Sequence, residues 1–270
     1  MIINVWDRKE NRMENKEFYI ENDGKKIHCK LEYPEGMEIA EDKCPLMIWV
    51  PGFTGHIEEP HMVGIAAHVV SLGYAVMRVE LYGHGKSDGE FQNHTILKWI
   101  DQMLTVVDYA VDLPFVSELY LAGHSQAGLM TIILGAMEKD RVKAILPLAP
   151  AIVIRDAANE GIMFGAEFDP DNIPGKIDMG DGRMLLGNYF RVAQLLPVEE
   201  CIRRFDKPVL IVHGDEDDAV PVKYAYDAAK LYQNCTLKII KGDNHCYDNH
   251  LDEACEAVGE FLKKVQNMAP

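Results

Sequence analysis

A serine, an acidic turn and a histidine-bearing loop stand where a nucleophile, an orienting carboxylate and a base would be needed. Ser125 lies in Gly123-His124-Ser125-Gln126-Ala127-Gly128, after the apolar run Leu119-Tyr120-Leu121-Ala122 and before Leu129-Met130-Thr131-Ile132-Ile133-Leu134. That pattern reads as strand, tight turn and helix with the serine at the apex. A serine hydroxyl is a weak nucleophile unless it is exposed, backed by a base and faced by oxyanion donors, and a strained elbow supplies the exposure. Gly123 and the small Ala127 flank it, as a turn that must close tightly requires. Further on, Val209-Leu210-Ile211-Val212 runs into His213-Gly214-Asp215-Glu216-Asp217-Asp218-Ala219-Val220-Pro221, where a carboxylate can sit at a strand end. A later strand, Thr236 to Ile240, leads into Lys241-Gly242-Asp243-Asn244-His245-Cys246. Histidine titrates near neutrality without a large shift, so His245 is the candidate base for Ser125. Asp215, Asp217, Asp218 and Asp243 all compete for the role of orienting acid.

The chain order Ser, Asp, His is that of an α/β-hydrolase, and differs from the chymotrypsin and subtilisin orders. From about Glu17 onward the chain resembles this superfamily, and within it the bacterial cinnamoyl (feruloyl) esterases. The resemblance rests on the elbow, the loop Pro51-Gly52-Phe53-Thr54-Gly55-His56, the segment Leu81-Tyr82-Gly83-His84-Gly85-Lys86-Ser87, the acid loop and Gly242-Asp243-Asn244-His245-Cys246-Tyr247-Asp248. It implies a triad of Ser125, His245 and Asp217, the acid that precedes Val-Pro by two residues. It also implies an oxyanion hole made by the backbone N–H groups of Phe53 and Gln126. Three positions depart from the family pattern: Pro51 replaces a histidine, Glu80 an aspartate and Ala127 a glycine. Proline fixes its own φ and donates no hydrogen bond, so the first bears on how the oxyanion loop is held. His124 is expected to pack under the elbow and His213 to be a satisfied core residue. Gly83-His84-Gly85 lacks the spacing of a dinucleotide or Walker loop.

These loops need strand ends to carry them. Glu17–Glu21 and Lys26–Tyr33 alternate around Asn22-Asp23-Gly24, a hairpin signal. Short apolar runs then alternate with helical stretches: Leu46 to Val50, Pro60 to Leu72 ending at Gly73, and Tyr74 to Met77. A helix follows with Ile96, Ile100, Met103, Val107 and Val111 on one face. Fully apolar strands joined by helices imply an α/β fold with a mostly parallel central sheet and helices on both faces. A final helix carries Leu251, Cys255, Val258, Leu262 and Val265 as a packing stripe. The expected division is a hydrolase core of 17–150 and 206–270, an inserted cap of 151–205 and an N-terminal extension of 1–16. The inserted segment is rich in turn formers and too long for a simple connection. By the resemblance it lies above the nucleophile and helps bind the acyl group, with Asp156, Glu160, Tyr189, Phe190 and Gln194 as candidates. For each, a solvated face or a place in the cap's own core is the competing role.

The chain has 270 residues, 48% of them hydrophobic, and a formal net charge of −16. Such a surface repels phosphate backbones and anionic lipid alike, so neither nucleic acid nor membrane is an expected partner. Cys29, Cys44, Cys201, Cys235, Cys246 and Cys255 form no C-x-x-C pair, which points to a reducing, cytoplasmic setting without disulfides or zinc. Met1 to Arg8 turns charged at once and shows no secretory pattern. No cofactor or metal is expected. The expected partner is a small ester, with a homodimer as the one macromolecular assembly left open. The implied activity is a serine carboxylesterase on hydroxycinnamate esters. A general acyl esterase or monoacylglycerol lipase, and a non-catalytic hydrolase-fold receptor, are the alternatives.

Overall fold

The computed structural model describes residues 16–268; the readings made on residues 1–15 lie outside them. In chain order the elements are β1 (Lys16–Asn22), β2 (Lys25–Glu32), β3 (Cys44–Val50), α1 (Pro60–Ser71), β4 (Ala75–Val79), α2 (Ile96–Val111), β5 (Val116–His124), α3 (Gln126–Met137) and β6 (Ala144–Leu148). Then come α4 (Val153–Glu160), β7 (Ile162–Met163), β8 (Ala166–Glu167), β9 (Lys176–Asp178), β10 (Met184–Leu186), α5 (Gly187–Gln194) and α6 (Val198–Arg204). The chain closes with β11 (Val209–Gly214), α7 (Lys223–Leu231), β12 (Cys235–Ile240) and α8 (Leu251–Gln266).

Eight strands form one sheet in the order β1-β2-β4-β3-β5-β6-β11-β12. The strands from β4 to β12 in that order run parallel, and the β1–β2 hairpin adds an antiparallel edge. The hairpin closes through Asp23 and Gly24, both at positive φ (46° and 69°), as a two-residue turn that follows the strands' twist requires. Strand periodicity sorts the core into two layers. Leu46, Ile48 and Val50 of β3 join a cluster with Trp99 and Met103 of α2, Leu129 of α3 and Ile202 of α6. The alternate residues Met47 and Trp49 join Met62 and Ile65 of α1 and Val258 and Phe261 of α8 on the other face. Both buried indoles are satisfied: Trp49 donates to Met62 O and Trp99 to Tyr82 O, each at 3.1 Å. Of the expected helical stripe in α2, Ile96, Ile100, Met103 and Val107 are buried, whereas Val111 in the last turn is exposed.

Between β6 and β11, which are neighbours in the sheet, the chain makes a long excursion. It holds α4, two two-stranded ribbons (β7–β8 and β9–β10) and α5. The last helix of the stretch, α6, packs on α3 and α7 in the layer that covers the sheet. No helix among the described residues is long and apolar enough to cross a membrane.

Candidate active site

Ser125 sits between β5 and α3 at φ 55°, ψ −118°, a conformation that costs a non-glycine residue on the order of 1–3 kcal/mol unless its surroundings enforce it. They do. Ser125 N–H donates to Leu148 O at the end of β6 (2.9 Å), and Ser125 O accepts from Ala151 N (2.9 Å) and Leu129 N (3.0 Å). Gly123 leaves room for the turn, since a Cβ there would lie 2.3 Å from Ala127 O. The close approach of the new helix to the sheet falls at Gly128, whose Cβ would meet Gly123 O, Leu148 O and Pro150 Cα at 3.0 Å. The methyl group of Ala127 is itself fully buried beside the elbow. On the other side, a Cβ at Gly52 would stand 2.7 Å from Ser125 Cβ and 3.3 Å from its Oγ. The serine hydroxyl is thus pressed against the loop after β3.

The acid and the histidine follow the ends of β11 and β12. Asp217 Oδ2 accepts from His245 Nδ1 at 2.6 Å. His213 Nε2 lies 3.0 Å from the same oxygen and 2.9 Å from Val220 O. Asp217 Oδ1 accepts the N–H groups of Ala219 (2.9 Å) and Val220 (2.7 Å). Burial pushes this carboxyl up, but the hydrogen bonds from His213 and His245 outweigh it and hold Asp217 well below the usual carboxylate range. The other candidate acids are engaged elsewhere or exposed: Asp215 accepts from Gly242 N (2.6 Å), Asp243 from Asn244 N and Asn249 N (2.9 and 3.1 Å), and Asp218 is at the surface. His124, expected to pack under the elbow, donates Nε2–H to His245 O at 2.8 Å and so ties the elbow to the histidine loop. Burial between His61 and His245 keeps it neutral, well below the ordinary histidine range. Burial, with Glu59 and Asp248 nearby, pushes the Cys246 thiol up to about 11, leaving it no thiolate character at neutral pH.

The loop after β3 is held by residues that follow β4. Thr54 N donates to His84 Nε2 (3.0 Å), and His84 Nδ1 donates to Tyr82 O (3.1 Å). Burial draws His84 down to about 4, so its Nε2 stays a free acceptor for Thr54. Ile57 is gripped at both ends: its N–H by Glu80 Oε1 (3.2 Å), its carbonyl by the buried Arg78, which also pairs with Glu32. Glu80 Oε2 accepts from Lys86 N (2.7 Å) and approaches His28 Nδ1 (2.8 Å). The extra methylene of Glu80 is accommodated by Gly85, where a Cβ would overlap the carboxyl group at 1.9 Å. The glycine-rich segment thus braces the loop after β3. Among the described residues, neither Phe53 N–H nor Gln126 N–H donates to a protein acceptor; unpaired backbone donors are rare in a folded interior.

Of the five cap candidates, Tyr189 comes to the elbow: fully buried, it donates its hydroxyl to Gln126 Oε1 at 2.6 Å. Its ring lies near His94 (5.0 Å), Phe164 (5.9 Å) and Phe53 (6.0 Å). Phe190 packs against Phe168 (4.8 Å) inside the excursion. Gln194 donates to Ala158 O (3.2 Å) and Pro170 O (2.9 Å). Asp156 accepts from Tyr224 on α7 (2.9 Å) and from its neighbour Arg155, and Glu160 is exposed at the end of α4. The ring that sequence reading missed is Phe164. It stacks on Phe53 at 4.2 Å and 3° from the β7–β8 turn, where Phe164 and Gly165 have φ 54° and 82°. A two-residue turn carrying an aromatic beside a glycine was its only signal. Among the described residues no group of three or more His, Cys, Asp or Glu is placed to hold a metal.

The sequence model of the prolyl oligopeptidase family matches residues 61–268, a span that contains Ser125, Asp217 and His245. Among solved structures, Est1E from Butyrivibrio proteoclasticus with ferulic acid bound is 48% identical, with a TM-score of 0.90 over 93% of this chain and 100% of that one. Among curated proteins, the mitochondrial palmitoyl-protein thioesterase ABHD10 of Pongo abelii is 29% identical over 109 residues, 40% of this chain and 34% of that protein. The mouse ABHD10 thioesterase is 25% identical over 246 residues, 84% of this chain and 78% of that protein. The chain thus spans about a third of the length of the first of these curated relatives.

Proposed function

The chain belongs to the prolyl oligopeptidase family and is a hydrolase of the α/β-hydrolase superfamily; from that premise we propose that it is a serine carboxylesterase that cleaves hydroxycinnamate-type esters. The observation that carries this reading is the 2.6 Å bond from His245 Nδ1 to a charged, buried Asp217, on loops flanking a serine forced to positive φ. Ser125 Oγ attacks the ester carbonyl and its proton passes to His245 Nε2, while the Nδ1–H stays on Asp217 and steadies the imidazolium. The carbonyl oxygen becomes an oxyanion between the N–H groups of Phe53 and Gln126, each such donor being worth about 3 kcal/mol. Collapse expels the alcohol, which takes the proton from His245. Water, deprotonated by His245, then attacks the acyl-enzyme and releases the acid, regenerating Ser125.

An aromatic acyl group is supported by the rings of Phe53, Phe164, Tyr189 and His94 gathered beside the oxyanion loop, and by the ferulic acid bound to Est1E. We read 151–205 as the cap that supplies much of this surface. Six free cysteines support a reducing compartment. The deciding experiment compares kcat/KM for methyl ferulate, p-nitrophenyl acetate and a long-chain monoacylglycerol. Preference for methyl ferulate is expected; preference for the monoacylglycerol would replace the reading with a lipase, and inactivity on all three would leave a binding protein.

A further inference from the structure

Gln126 presents a problem of its own. A side chain directly after the nucleophile and fully buried could be aliphatic at no cost, whereas a primary amide brings two N–H donors and an acceptor that must be satisfied out of water. Its Oε1 accepts the Tyr189 hydroxyl at 2.6 Å. Its amide nitrogen is buried with no hydrogen-bond partner. His94 donates Nδ1–H to Phe91 O (2.9 Å), so its equally unpartnered Nε2 is a bare lone pair. The Gln126 amide is thus held at its oxygen by the Tyr189 hydroxyl, while His94 keeps its Nδ1–H on Phe91 O.

We propose that Tyr189 is a positioning residue, whose hydroxyl anchors the Gln126 side chain and thereby holds the Gln126 backbone N–H on the oxyanion. The inference rests on Gln126 as an oxyanion donor. Gln126 begins α3 directly after the strained Ser125, so its peptide group is the one that would rotate if the strain relaxed. A side chain pinned at its far end opposes that rotation, and oxyanion donors act only when their orientation is set in advance. Tyr189 comes from α5, in the excursion, so the seating of the excursion against the core and the geometry of the oxyanion hole are one adjustment. Tyr189 has a single hydroxyl proton and gives it to Gln126. Only its lone pairs remain for a substrate.

Tyr189→Phe keeps the ring contacts and removes this bond. It is expected to lower kcat about tenfold, the measure of one lost hydrogen bond, on methyl ferulate and p-nitrophenyl acetate alike, with KM within about twofold and Tm lowered by a few degrees as the buried Gln126 oxygen loses its donor. In a Gln126→Leu background, Tyr189→Phe should cost nothing further, because a coupled pair is not additive. A loss confined to hydroxylated aromatic esters makes Tyr189 a substrate contact and overturns the proposal. So does an additive cycle, an unchanged kcat, or a loss that follows the fraction of folded protein. If the native enzyme hydrolyses the acetate ester and not methyl ferulate, the aromatic substrate reading fails, while the cycle on the acetate ester still decides the role of Tyr189.

Discussion

Asp217 keeps its charge in a side chain closed to solvent, so its hydrogen-bond partners decide whether it works at all. Two imidazoles, His213 and His245, share one of its oxygens and two backbone N–H groups hold the other. Asp217→Asn presents an amide where His245 needs an acceptor and favours the wrong tautomer. It should lower kcat by about four orders of magnitude, whereas Asp218→Asn should change it less than threefold; steady-state kinetics showing the reverse order would move the acid to Asp218. Ser125→Ala should leave a folded protein with kcat down about a millionfold, and residual ester hydrolysis above a trace would remove Ser125 from the nucleophile's role. These three residues were legible because each sits at the end of an apolar strand in a turn with few alternatives. The partners of His213, His84 and Tyr189 were not. A core histidine, a glycine-loop histidine and a cap tyrosine look alike in sequence whatever they bond to, since the partner is set by the approach of another loop.

At the scale of elements, the hairpin at Asp23-Gly24, the helix from Pro60 and the strand-elbow-helix around Ser125 follow from turn chemistry and periodicity, and the structure has all three. The ribbons β7–β8 and β9–β10 escaped because strands of two or three residues have no period to detect; their pairing is decided by the turns between them. The elbow shows how tightly an element can be specified. Gly128 faces three backbone atoms at 3.0 Å, none of which can give way as a flexible side-chain end would. Gly128→Ala should therefore destabilise the protein by about 1–3 kcal/mol and lower kcat by tilting α3 away from β6. An unshifted urea midpoint would show that the helix start is looser than its contacts imply.

The whole molecule buries imidazoles that stay neutral. Burial draws His61 and His84 down to about 4, His94 to about 3, and His124 well below the ordinary range. The unfolded chain protonates all four near pH 6.5, so it binds more protons than the native state below that pH. Their contribution is complete above about pH 6.5 and is lost as pH falls toward 4. Asp217, with a depressed pKa, loses its contribution at still lower pH. Urea unfolding at pH 7 and pH 5 should reveal a much less stable protein at pH 5, and equal midpoints would refute the picture. The insertion has a different kind of consequence. Because β6 and β11 pair side by side, with Val209 opposite Ile145 and Val212 opposite Leu148, the chain leaves and re-enters the sheet through one gap whose width does not depend on what lies between. Loop-closure entropy rises only with the logarithm of length, about 0.6 kcal/mol per doubling. Selection can lengthen, shorten or exchange this stretch cheaply while Ser125 stays at the end of β5 and Asp217 just beyond β11. Within such a lineage, preference for one ester over another is free to drift faster than the chemistry that cleaves it.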